Sequence, residues 1–227
     1  MQLVSHLKRF TQNTLVLIGL ICTCAGTTFA VQNNVRTIHF SFIALPGYTD
    51  EMGYQHRIYV ASETQGYLIG LGDGVAINSL IDMGQDHLLL VDPGPDRLYA
   101  QALLNQLKKI EPETQHKKLV LVNSVARPEH VLANSTISSK QTNIYATALV
   151  QKNMGIRCPN CRKRLADQLQ NKAIRKTPIK IPNRVISERI PIEEFPQWQA
   201  LECVGRTDSD LVLFNASNKV LYAGGLA

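Results

Sequence analysis

The feature that most limits the possible folds is a buried strand followed by an amphipathic helix and a second buried strand. "HLLLVDPGP" at 87–95 is an apolar run stopped by Asp-Pro-Gly-Pro, which is typical of a buried strand that ends in a turn. "DRLYAQALLNQLKKI" at 96–110 has apolar residues near helical spacing, with Asp96 as its N-cap. "KKLVLVN" at 117–123 predicts the next buried strand. This order predicts sheets flanked by helices, which is the α+β class.

Further strands are predicted on both sides of this unit. Upstream, residues 35–45 form one strand, 46–57 a loop, and 66–83 two strands around a Gly-Asp-Gly turn. Downstream, the predicted strands are 143–147, 184–192, 200–205 and 210–224. Residues 148–172 are predicted to be helical on both sides of a turn at Pro159. The length of 227 residues favours a single main domain.

The N-terminus has the pattern of a secretory signal peptide. Lys8 and Arg9 precede a short uncharged apolar run that closes on small residues at Ala30. We therefore expect residues 1–30 to be removed and 31–227 to form the mature domain in the periplasm or outside the cell. A membrane anchor is the alternative, although the apolar core is short for a span. A lipoprotein cut before Cys24 is a second alternative. No later segment is long enough to cross a membrane.

The charge of the chain argues against nucleic acid as a partner. The formal net charge is +6, and removal of the signal segment with its two basic residues leaves 6 − 2 = +4. The basic residues cluster mainly at 157–189, without interleaved aromatic residues for base stacking. A solvated basic face explains this cluster.

The order of four segments carries a resemblance to a known family. "LLLVDPG", a helix, "LVLVNSVARPEHVLANS" and "TDSDLVLFNASNKVLYAGGLA" follow one another. This order resembles the metallo-β-lactamase fold superfamily, in particular exported metallo-hydrolase-like proteins of the quinoprotein-associated type. The resemblance implies an αββα sandwich and a zinc-dependent hydrolase. Because relatives continue beyond the point matching Ala227, it also implies an incomplete second half.

Most of the metal ligands that the resemblance implies are replaced. Relatives have a His-x-His-x-Asp-His loop, a His-Thr-Asp segment and a strand ending in Ala-Gly-Asp. Here His130 matches in the loop, and Asp92 and Asp208 match elsewhere. The replaced positions hold Val125, Arg127, Glu129, Arg206 and Gly225. A catalytic zinc needs three protein ligands, and a protonated guanidinium has no lone pair to donate, so the resemblance implies a degenerate site.

Two arrangements of the arginines are open at this point. Arg127 and Arg206 would either occupy the place of the missing metals and neutralise Glu129, Asp208 and Asp92, or point to solvent from loop tips. The first arrangement describes a remnant pocket held by ion pairs.

The segment Cys158-Pro159-Asn160-Cys161 has three interpretations. It is a structural disulfide, half of a zinc site, or a redox pair whose thiols are influenced by the following basic residues. Cys203 is the third cysteine of the mature chain, so pairing of two leaves one thiol over.

These features lead to three functional hypotheses. The first is an exported, non-catalytic binding or accessory protein with a degraded zinc site and no cofactor. The second is a hydrolase that retains a single metal, zinc, through His130 and Glu129. The third is a gene remnant that folds poorly. For the first, we expect a protein partner or a homo-oligomer to cover the incomplete sheet.

Overall fold

The fold was obtained as a computed structural model that describes residues 37–64 and 77–224. These residues belong to one compact unit, Arg36–Ala227. The predicted signal peptide, the Gly-Asp-Gly turn and Gly225 lie outside the described residues. The strands are β1 (Phe40–Thr49), β2 (Gln55–Glu63), β3 (Asn78–Met83), β4 (His87–Val91), β5 (Lys118–Val122), β6 (Ile144–Ala146), β7 (Arg184–Val185), β8 (Trp198–Cys203), β9 (Asp210–Asn215) and β10 (Val220–Tyr222). The helices are α1 (Arg97–Ile110), α2 (Pro128–Val131), α3 (Asn134–Ile137), α4 (Ala148–Gln168) and α5 (Lys172–Lys176), with a 3-10 turn at Pro112–His116.

The strands form two sheets. Seven strands follow one another in sequence order from β1 to β7, antiparallel as far as β4 and parallel from β4 to β7. The second sheet has the order β10-β9-β8 and is antiparallel. The α+β class predicted from the sequence is therefore confirmed.

The central strands are buried on both faces, which explains their continuous apolar sequences. Leu89 and Val91 of β4 face the second sheet and pack in a core that includes Leu211 and Leu213. Leu88 and Leu90 face the opposite way and pack against α1. The large sheet is thus a middle layer between α1 and the smaller sheet.

The first helix begins as the sequence predicts. Asp96 is its N-cap, and its carboxylate accepts a hydrogen bond from the Tyr99 backbone N–H at 2.9 Å. The sharp turn before it needs Gly94, which has φ +103°, because a Cβ there would lie 2.2 Å from the Tyr99 ring. The prediction of Asp96 as the N-cap is therefore confirmed.

Three local predictions are wrong. The strand expected at 184–192 is limited to β7, because the chain turns between Ser187 and Ile190, which form an isolated bridge. The loop expected at 46–57 is shorter, because β1 continues to Thr49 and β2 starts at Gln55. The turn expected at Pro159 is absent, since α4 runs through it. Proline in a helix interior costs about 3 kcal/mol. The apolar side of α4, which includes Met154 and Cys158, packs against Val131 and Ala146, and this contact holds the helix together across the proline.

Candidate functional site

The candidate site lies where the parallel strands β4 and β5 end. Asp92 directly follows β4, and Ser124 lies two residues after β5. The Leu211 N–H of β9 donates to the Ser124 carbonyl at 2.8 Å, which ties the smaller sheet to this edge. Polar loops at the carboxyl ends of parallel strands are a common position for a site.

Asp92 is the centre of a buried hydrogen-bond network. Its carboxylate accepts from the Ser124 N–H at 2.8 Å, from the Ser124 hydroxyl, and from the Tyr222 hydroxyl at 3.0 Å. His130 Nδ1 lies 3.2 Å from the same carboxylate. Burial and the charge of Asp92 raise the pKa of Tyr222 well above its ordinary value, so this tyrosine stays a neutral donor. Asp92 has φ +55°, a left-handed conformation that aspartate tolerates better than most residues.

The loop after Ser124 places His130 against Asp92 from the short helix α2. Pro128 occupies the first turn of that helix, where a missing N–H is tolerated. The Gly94 N–H donates to the His130 carbonyl at 3.0 Å, and the Ala133 N–H donates to the Gly94 carbonyl at 3.0 Å. The turn after β4 and the helix α2 are therefore fixed to each other by backbone hydrogen bonds.

Arg127 and Glu129 form an ion pair within the same loop. Arg127 Nε lies 2.7 Å from Glu129 Oε1, and the two side chains are 29% and 7% exposed. The carboxylate that the resemblance assigns to a metal thus faces a permanent cation. Val125, at the position where the resemblance implies the first histidine, is fully buried.

The second loop, which carries Arg206 and Asp208, is held by hydrogen bonds from α4. Asp208 accepts from both terminal nitrogens of Arg157, at 3.0 and 2.7 Å, and from Asn153 at 2.9 Å. The hydrogen bonds from Arg157 lower the pKa of Asp208. Arg206 is exposed and makes no ion pair with any residue in the described part of the chain. Of the two arrangements considered for the arginines, Arg127 has the paired one and Arg206 the exposed one.

Arg157 was not recognised from the sequence as a site residue. Asn153 and Arg157 are four residues apart on α4, so they share one face of the helix. That spacing is the only sequence signal for their common contact with Asp208.

The cysteines of the described residues are free thiols, and α4 carries two of them. Cys158 is buried, and its Sγ lies 3.7 Å from the Ala126 carbonyl in the site loop. Burial raises the pKa of Cys158 to about 12. Cys161 is partly exposed, and Arg164 Nη2 lies 3.2 Å from its Sγ.

The residues present do not fit a zinc ion. Among residues 37–64 and 77–224, no three or more His, Cys, Asp or Glu side chains are grouped so as to hold a metal. Glu129 is paired with Arg127, and Asp208 with Arg157. Asp92 is enclosed by its donors. These carboxylates already have partners, and one histidine falls short of the three ligands of a catalytic zinc.

A second buried polar cluster lies between the sheets. Asp82 of β3 accepts from the Tyr48 hydroxyl at 2.8 Å and from Trp198 Nε1 at 2.7 Å. It also lies 2.7 Å from His56 Nδ1, and His56 Nε2 lies 3.3 Å from Asp50. The sequence signal was the charged Asp82 inside the buried strand "NSLIDM", whereas His56 gave none.

Within the described residues, no helix combines the length and apolar character needed to span a membrane.

Comparison with known proteins finds likeness in structure without likeness in sequence. No protein-family profile matches the chain, and no curated sequence is significantly similar to it. A metallo-β-lactamase from Pontibacter korlensis matches with a TM-score of 0.50 at 13% identity, covering 82% of this chain and 71% of its own. The metallo-β-lactamase IND-7 matches with a TM-score of 0.50 at 16% identity, covering 80% and 69%. Likeness at this level of identity establishes the fold alone.

Proposed function

We propose that this chain, which has the metallo-β-lactamase fold, is an exported binding or accessory protein without hydrolase activity. The observation that carries the proposal is the ion pair between Arg127 and buried Glu129, at 2.7 Å. It lies in the loop to which the resemblance assigns three histidines and an aspartate. A guanidinium there supplies the positive charge that a metal supplies in a hydrolase.

The electrostatics of this loop disfavour a divalent cation. A cation bound to Glu129 would lie within a few ångströms of the Arg127 guanidinium. At an effective dielectric constant of about 20, the repulsion at such distances is several kcal/mol. Bonds from further metal ligands would have to offset that repulsion, and His130 is the only other side chain in the loop of a type that commonly binds zinc.

The remaining carboxylates support the same conclusion. Asp92 and Asp208 accept hydrogen bonds from protein groups and need no metal to satisfy them. Asp92 is fully buried, so loss of its donors would carry a large desolvation penalty, whereas Asp208 is exposed and would lose less. The network therefore stabilises the fold in the absence of zinc.

The experiment is a joint measurement of metal content and hydrolysis. The protein is produced in zinc-rich medium, desalted, and analysed for metal, then assayed with a chromogenic β-lactam and an acyl-homoserine lactone with and without a chelator. The proposal predicts zinc well below one ion per chain and no turnover. About one zinc per chain with chelator-sensitive turnover would instead favour the single-metal hydrolase that uses His130 and Glu129. Turnover without metal would contradict the proposal as well.

A matched variant strengthens this test. Arg127→Met removes the guanidinium and keeps the length and apolar stem of the side chain, so Glu129 is released from its partner. If Arg127 excludes the metal by its charge, the variant binds zinc more tightly than the wild type. Glu129→Gln in the same background removes that gain, because the amide oxygen is a weaker ligand for zinc.

Export is the second part of the proposal and rests on the N-terminal pattern. Expression of the full chain in a Gram-negative host followed by intact-mass analysis of the periplasmic fraction tests it. A mature chain that begins near residue 31 supports export, whereas an uncleaved chain retained in the cytoplasm contradicts it.

Assembly is the third part. The smaller sheet has exposed apolar side chains, with Leu221 of β10 60% and Leu201 of β8 37% exposed. Apolar groups on a sheet edge favour association with another chain. Sedimentation velocity across a concentration series tests for a homo-oligomer, and a purely monomeric chain would leave only a different protein as the partner.

A further inference from the structure

Two thiols share one side of α4 beside the candidate site. Cys158 and Cys161 are three residues apart in the helix, and both are free. Residues at this spacing have Cβ atoms about 5–6 Å apart. A disulfide requires a Cβ separation of about 3.5–4.5 Å, so a small local change in the helix brings the two sulfurs within bonding distance.

The helix is weakened where that change is needed. Pro159 lies between the thiols and has no N–H, so the carbonyl of Gly155 lacks its helical hydrogen bond. Gly155 adds no side chain, and a Cβ built there would contact nothing within 4 Å. The backbone around the pair is therefore freer to adjust than an uninterrupted helix.

The two thiols differ in access and partners. Cys161 is partly exposed, and the Arg164 guanidinium donates a hydrogen bond to its sulfur at 3.2 Å. The attacking species in exchange is a thiolate, so the more exposed sulfur, which lies beside a guanidinium, is the one placed to meet an incoming disulfide. Cys158 is buried, with the Ala126 carbonyl at 3.7 Å from its sulfur, and a second molecule has little access to it.

We propose that Cys158 and Cys161 form a thiol–disulfide exchange site for a disulfide supplied by another molecule. The Cys161 thiolate attacks one sulfur of the incoming disulfide, forms a mixed disulfide, and releases the other half as a thiolate. The Cys158 sulfur then attacks Cys161, its proton passes to a released thiolate, and the second half leaves. The protein dithiol loses two electrons, and the incoming disulfide gains them.

This inference is independent of the proposed function, because it requires no statement about zinc or hydrolysis. Cys158 also contacts the loop that carries Arg127 and Glu129, through the Ala126 carbonyl. The exchange site and the candidate site are thus neighbours in the fold.

The test uses the full chain with Cys22, Cys24 and Cys203 replaced by serine, so that only the pair reacts. The folded, reduced protein is mixed with a limited amount of an aromatic disulfide, 5,5′-dithiobis(2-nitrobenzoate), and the released thiolate is followed by absorbance. The intact pair is expected to release both halves of each reagent molecule and to end as an intramolecular disulfide. Peptide mass analysis identifies that bond, and dithiothreitol restores both thiols.

Two variants in the same background assign the roles. Cys158→Ser is expected to release only one half of the reagent and to keep the other half on Cys161. Cys161→Ser is expected to react at least about tenfold more slowly than the intact pair, because the remaining thiol is buried. Circular dichroism establishes that both variants are folded.

Three results would overturn the proposal. One is release of a single half by the intact pair, with Cys158 left unmodified. Another is formation of the disulfide only after the chain is unfolded in denaturant. The third is zinc bound by the two thiols, found by metal analysis of the folded protein, which would make the pair half of a metal site.

Discussion

Asp82→Asn is the substitution that most directly tests how the two sheets are joined. Asp82 is fully buried on β3 of the large sheet. It accepts hydrogen bonds from Tyr48 of β1 and from Trp198 of β8, and it faces His56 of β2. The change keeps the size of the side chain, removes its charge, and turns an amide NH₂ toward groups that are themselves donors.

The expected loss in the free energy of unfolding follows from the hydrogen bonds and the ion pair that the amide cannot make. A hydrogen bond to a charged group contributes about 1.5–3 kcal/mol, and removal of one partner from a buried charged pair costs about 3–5 kcal/mol. Asparagine keeps one acceptor oxygen, so some of the contacts survive. We expect a loss of about 3–5 kcal/mol, which is a large part of the 5–15 kcal/mol typical of a domain.

The protein contains its own probe for this measurement. Trp198 is the only tryptophan and is fully buried against Asp82, so its fluorescence reports urea unfolding at the substituted cluster. Tyr48→Phe is the matched control, because it removes one donor and keeps the ring stacked on His56 at 4.2 Å. It should cost about 1–2 kcal/mol. The reasoning is refuted if Asp82→Asn costs no more than Tyr48→Phe.

The same variant should change the dependence of stability on pH. Burial alone lowers the pKa of His56, but hydrogen bonds and charges from Asp82 and Asp50 outweigh it and raise the pKa above its ordinary value. A raised pKa gives a contribution that is fully present below the unfolded value of about 6.5 and is lost as pH rises through the folded value. Unfolding measured from pH 5.5 to 9 should show this loss in the wild type, and a slope that persists unchanged in Asp82→Asn would contradict the assignment to His56.

Three further predictions concern the candidate site. Arg127→Met leaves Glu129 without its cation and should lower the free energy of unfolding by about 1–3 kcal/mol, measured in urea at pH 7; the loss should largely disappear in a background that also carries Glu129→Gln. Arg157→Met should be destabilising near neutral pH only, because the lowered pKa of Asp208 gives a contribution that is lost as pH falls through the folded value; a difference that persists at pH 2 would contradict this. Asp92→Ala leaves several buried donors unsatisfied and should cost at least about 3 kcal/mol, seen as a lower urea midpoint.

The central strands and the first helix are predictable from the sequence because their burial leaves a local signal. β4 and β5 are apolar on both faces, so each appears as a continuous apolar run, and α1 has an N-cap directly before its first turn. β2 lacks such a signal. It begins with the polar residues Gln55, His56 and Arg57, which have the composition of a loop, and Arg57 pairs with Glu113 beyond α1.

The candidate site is only partly predictable from the sequence, because some of its contacts join residues that lie far apart in the chain. Asp92 and His130 follow from the order of the motifs, and the structure places them 3.2 Å apart. Tyr222 reaches Asp92 across 130 positions of sequence, and Trp198 reaches Asp82 across 116. Such contacts form only when the two sheets pack together, and no local sequence pattern predicts them. The helix through Pro159 was missed because packing against β6 outweighed a local preference.

The residues at the positions where the resemblance implies metal ligands have a consequence for the chemistry of the candidate site. Glu129 and Asp92 are buried carboxylates, and a buried carboxylate is unfavourable unless hydrogen-bond donors or a cation satisfy it. Here Arg127 pairs with Glu129, and Tyr222 and Ser124 donate to Asp92, while Arg157 pairs with the exposed Asp208. These groups stabilise the fold without a metal ion, and they also occupy the carboxylate oxygens that a metal ion would need. Placing histidine at Val125 and Arg206 would therefore be insufficient for tight zinc binding, since Glu129 would still be held by its guanidinium partner.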